Sequence, residues 1–84
     1  MIHPQHGVIP PERNKELVGL LMKHQRRIFS YIYTMVPNRE DSEDLLQETC
    51  LTICEKFTDF VEGTNFLAWA CQIAFWKVRA ARKK

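Results

Sequence analysis

At 84 residues, with 45% hydrophobic and 26% charged side chains and a net charge of +2, the chain has the make-up of one small globular domain. A domain of this size buries only about 60% of the surface its unfolded chain exposes, which argues against an enzyme with its own substrate cleft. Three Gly and four Pro exclude a collagen-like or low-complexity chain, and no apolar run approaches the roughly 18 residues of a membrane span.

Residues 1–11 hold three of the four prolines and read as an irregular lead-in, followed by one helical domain over 12–84. Pro11 suits the first position of a helix, where a missing N–H costs nothing. The N-terminus lacks the basic-then-apolar pattern of a signal peptide, so the expected location is the cytoplasm.

From about Lys15 to Val36, Leu17, Leu20/Leu21, His24, Ile28, Tyr31/Ile32 and Met35 recur at the helix period. A second stripe, Val18, Met22, Phe29, Tyr33 and Val36, predicts a central helix that is apolar on two sides. Pro37-Asn38 ends it. The next helix opens among Asn38–Asp44, where capping residues and acids suit the positive end of the helix dipole. Leu46, Cys50, Ile53 and Phe57 are its predicted inward face; Asp44, Gln47, Glu48, Leu51 and Glu55 share another. A loop from Thr58 to Asn65 contains Gly63, and Thr64 or Asn65 can cap a third helix from Phe66 to at least Ala81. Its predicted core stripe is Phe66, Ala70 and Ile73, while Gln72, Trp76, Arg79 and Lys83 fall together on one side. No strand pattern or repeat is visible. The expected fold is all-α, a small three-helix bundle.

Cys50, Cys54 and Cys71 are an odd number, so a disulfide framework is not expected. Nor is there a zinc pattern: no C-x-x-C occurs, and His3, His6 and His24 are distant in sequence. The cysteines read as small apolar core residues, and no metal or cofactor is expected.

Charge is segregated along the chain. Residues 1–36 carry five Lys/Arg against two Asp/Glu (+3), residues 37–62 two against eight (−6), and residues 63–84 five against none (+5). Such polarity suggests one basic and one anionic partner. On the second helix, Gln47 and Leu51 lie inside the acidic patch of Asp44 and Glu48. An amide, carboxylates and an apolar centre suit docking against a basic helix. These acids are expected on an open helix face with no pocket to shift their pKa values, so acid–base catalysis is not expected. In the last third, Phe60, Phe66, Trp69, Phe75 and Trp76 interleave with Lys77, Arg79, Arg82, Lys83 and Lys84. Rings beside cations are what single-stranded nucleic acid needs. Phe75 and Trp76 point about 100° apart on a helix, so at least one lies outside the core stripe. Trp76 itself reads either as a core residue or as an exposed stacking platform.

The run Asp41-Ser-Glu-Asp-Leu-Leu-Gln-Glu-Thr-Cys-Leu51, then Phe57-Thr-Asp-Phe60, Gly63 and Asn65-Phe-Leu-Ala-Trp-Ala-Cys-Gln-Ile-Ala74, resembles region 2 of bacterial RNA polymerase sigma factors. The similarity is to the extracytoplasmic-function type of the sigma-70 family, and it spans about residues 15–84. It implies that Asp44, Gln47 and Glu48 bind the clamp helices of the polymerase β′ subunit. It also implies that the Phe60–Asn65 loop and the start of the third helix capture a base flipped from the single-stranded non-template strand of the −10 promoter element. Phe60, Ile73 and Trp76 would line that pocket. Family members often have Asn in place of Trp76 and a basic residue in place of Gln72, so their base-reading chemistry does not carry over there. The family's helix-turn-helix region 4 has no counterpart, so the chain is expected to be an excised domain or a truncated product. The resemblance implies a non-enzymatic role in transcription initiation as a monomer, and leaves room for an anti-sigma factor. Two alternatives stay open: a stand-alone regulator occupying the sigma site without promoter opening, and a plain protein-interaction bundle.

Overall fold

The computed structural model describes residues 11–82, which form three helices: α1 (Pro11–Met35), α2 (Arg39–Lys56) and α3 (Phe66–Arg82), with a 3₁₀ turn at Phe57–Asp59. The expected three-helix, all-α fold is what the chain adopts. Each helix packs against both others. The expected lead-in lies outside the described residues except for Pro11, which opens α1.

The chain reverses between α1 and α2 through a compact set of hydrogen bonds. Val36 N donates to Ile32 O at 2.9 Å and Asn38 N to Val36 O at 2.7 Å. Asn38 then sits in extended backbone as the N-cap of α2, its Oδ1 accepting from Asp41 N at 2.9 Å. Ser42 Oγ donates back to Val36 O at 2.7 Å, tying the first turn of α2 to the end of α1. Asn65 caps α3, accepting from Ala68 N at 3.0 Å, and Gly63 takes the left-handed backbone (φ 89°) that its turn requires.

Three expectations about facing are corrected. The buried row of α2 is Ser42, Leu45, Thr49 and Ile53, continued by Phe57; Leu46 and Cys50 sit half-buried at its edge. On α1 the second apolar stripe stays mostly outside the core: Val18 (48%), Met22 (76%) and Tyr33 (43%) are exposed and Phe29 is half-buried, while Val36 packs against the core. The buried row of α3 is Phe66, Ala70, Ala74 and Val78, with Ile73 half-buried beside it. Ala70 and Ala74 are fully buried, small side chains in a close-packed interior.

One end of the bundle is closed by aromatic rings. Phe57 and Phe60 stack at 5.6 Å, while Phe60 lies 5.5 Å from Phe66 and 5.1 Å from Trp69. The Arg13 guanidinium caps this cluster at 4.5 Å from the Phe57 ring, pairs with Glu16 at 3.0 Å and reaches Phe60 O at 3.4 Å. At the other end Arg82 Nη2 donates to Met35 O at 2.6 Å, fastening the last turn of α3 to α1.

Candidate interaction surfaces

The helix period places Asp44, Gln47, Glu48 and Leu51 on one exposed ridge of α2, and Leu51 is 65% exposed. The ridge divides two grooves. Asp44 and Glu48, with Asp41, line a groove of about 330 Å³ whose far wall is Val78, Ala81 and Arg82 of α3. Gln47 and Leu51 line another of about 360 Å³, together with Leu46, Cys50, Cys54 and Gln25 of α1. The four side chains thus form an apolar-centred crest with carboxylates on one flank and an amide on the other.

The second surface is built on α3. Trp76 is 59% exposed, so the core reading of this residue is corrected. It points outward because the inward row passes through Ala74 and Val78, on either side of it in sequence. Phe75 is half-buried and meets Trp76 edge-on at 5.5 Å. The Arg79 guanidinium lies 5.8 Å from both rings, so cation and indole already share one patch. Gln72 is exposed one turn earlier, and Ile73 is half-buried. Lys83 lies outside the described residues.

Ile73 and Trp76 line a groove of about 270 Å³ with Thr52 and Lys56 of α2 and Lys77 and Ala80 of α3. Sequence reasoning did not single out Lys56 as a partner of this face. The four-residue step from Thr52 to Lys56 was its only signal. The seam between α2 and α3 therefore changes net sign along its length: Asp41, Asp44 and Glu48 outnumber Arg82 at one end, and Lys56 and Lys77 stand at the other.

The loop residues behave differently from one another. Asn65 is exposed, its side chain engaged as the α3 cap. Phe60 is only 5% exposed, so it is a floor beneath the loop and not a wall of an open pocket. Its burial follows from the ring cluster, which gains more from covering a phenyl than solvent does from meeting it. Val61–Asn65 are exposed above it, and Thr64 Oγ1 donates to Val61 O at 2.6 Å.

Among the described residues no group of three His, Cys, Asp or Glu side chains could hold a metal ion. No helix among them is long and apolar enough to cross a membrane. Comparison with protein families matches residues 20–83 to sigma-70 region 2. Neither the curated proteins nor the solved structures yield a match to the chain.

Proposed function

The chain belongs to the sigma-70 family as a region 2 domain, and we propose that it docks on the β′ clamp helices through the α2 ridge and holds the melted −10 element on α3. Membership carries a role in polymerase binding and promoter recognition. In this reading the domain is of the extracytoplasmic-function type, acts in the cytoplasm and catalyses no reaction.

The observation that carries it is the sign change along the α2–α3 seam, which offers two unlike partners adjoining surfaces. Asp44 and Glu48 accept hydrogen bonds from basic side chains of the clamp, bidentately where these are Arg. Leu51 supplies the dry centre of that contact, and Gln47 contributes amide hydrogen bonds. Trp76 of α3 offers a π-face to an unstacked base, while Arg79 and Lys77 of α3 and Lys56 of α2 neutralise phosphates. Asn65 and Gln72 border the same strand with amide donors and acceptors, and Ile73 gives it an apolar contact. Opening the duplex costs a few kcal/mol per extracted base, which these contacts offset.

The test is direct. Titrating labelled domain with core polymerase should show Asp44→Arg and Glu48→Arg each weakening binding at least tenfold, with helicity and melting nearly unchanged. Gln47→Ala should cost less, since it sets no like charge against the partner. If both charge reversals bind core like the parent, the docking assignment fails. A domain that binds core but not single-stranded −10 DNA would be a regulator of the sigma site.

A further inference from the structure

Cys50 and Cys54 are one helical turn apart on α2 and half-buried in the same groove, whose other walls are Leu46, Gln47, Leu51 and Gln25. Side chains four apart on a helix hold their Cβ atoms about 5–6 Å from each other. A disulfide needs about 3.5–4.5 Å between those atoms, so the pair does not close on itself without bending α2. A single ion lying between the sulfurs does span that gap. Two thiolates, with no group of three His, Cys, Asp or Glu side chains among the described residues, suit soft ions that accept two-coordinate geometry; tetrahedral zinc requires four ligands.

We propose that Cys50 and Cys54 form a dithiolate site for a soft cation of the Cu(I), Ag(I) or Hg(II) class, whose occupancy obstructs docking through Gln47 and Leu51. Loading is a ligand exchange: two S–H bonds break and give up their protons, two metal–sulfur bonds form as the ion sheds the water or monothiolate ligands it arrived with, and no electron is transferred. The apolar groove favours this exchange, because a neutral or singly charged thiolate complex replaces two thiols without burying separate charges. Burial, and secondarily the neighbouring Cys54, holds the Cys50 thiol above its usual range. Cys71 on α3 is raised by burial alone, with no thiol partner contributing, and makes an internal control. The obstruction rests on the docking reading above; the site itself does not.

The experiment uses Hg(II) with a tenfold excess of a monothiol, which strips ions from single cysteines but not from a chelating pair. Native mass spectrometry should show one ion retained by the parent and by Cys71→Ser, and none by Cys50→Ser, Cys54→Ser or Cys54→Ala, all folded by circular dichroism. Retention by the Cys50 or Cys54 variants, or none by the parent, overturns the site. Loaded parent should then bind core polymerase at least tenfold more weakly than empty parent, with Cys54→Ser indifferent to Hg(II). If loaded parent binds core as the empty form does, the obstruction is overturned. If empty parent fails to bind core at all, the docking reading falls, and the obstruction with it, while the retention result still decides the site.

Discussion

Replacing Trp76 by alanine separates stability from binding at one position. With 59% of the residue exposed, roughly two-fifths of its surface is covered by the domain. For a side chain of about 200 Å² that is roughly 80 Å² lost from cover, or about 2 kcal/mol at 25 cal/mol per Å². This is an upper bound, since the unfolded chain also covers part of an indole. Alanine further returns about 0.5 kcal/mol of helix propensity. The net cost to folding should therefore be about 1–1.5 kcal/mol, well short of the 3–5 kcal/mol of a core Trp→Ala. Binding to single-stranded −10 DNA should fall by about 1–3 kcal/mol if the indole stacks on a base. Its salt slope should stay unchanged, because stacking releases no counterions. Urea melts followed by circular dichroism, with fluorescence anisotropy of labelled DNA at several salt concentrations, measure both. A variant destabilised by 3 kcal/mol or more would refute the exposure argument. Unchanged affinity per folded molecule would refute the stacking role.

Arg79→Ala should weaken DNA binding across sequences and flatten the log–log salt slope by about 0.7, the value for one phosphate contact on a single strand. Thr49 is fully buried and its Oγ1 has no hydrogen-bond partner among the described residues, so Thr49→Val should raise stability by about 1 kcal/mol in a urea melt. Ser42 is equally buried but donates to Val36 O, so Ser42→Ala should lower stability by about 1 kcal/mol; equal effects of the two substitutions would contradict the hydrogen-bond assignment. EDTA should leave the melting temperature unchanged, and a fall of several degrees would show a resident structural metal.

The helices and their ends were legible because their signals are local: Pro11, Asn38 and Asn65 stand where the chain begins or caps a helix. Facing was less legible, because hydropathy ranks side chains by size and polarity. It favoured Leu46 and Cys50 over Ser42 and Thr49, although a buried Ser is tolerated once its hydroxyl finds a carbonyl. It favoured Ile73 over Ala74, although closely packed helices select the smaller residue at their crossing. The exposed stripe Val18, Met22 and Tyr33 carries the same period as a core stripe, and only the placement of α2 and α3 tells the two apart. For the candidate surfaces, the α2 ridge was readable from its four-residue steps. The companionship of Lys56 with Trp76 was not, since it joins residues twenty apart in sequence on two different helices.

The ring cluster under the loop has a kinetic meaning as well. Phe60 and Phe66, 5.5 Å apart, pin both ends of the segment Val61–Asn65, and Thr64 and Gly63 fix its turn. Ordering a backbone residue costs about 1–2 kcal/mol of conformational entropy, and here folding has already met that cost for all five positions. A ligand that settles on this loop meets a turn already tied at both ends. Its association rate should then reflect encounter and desolvation, with no slow step for rearranging the loop.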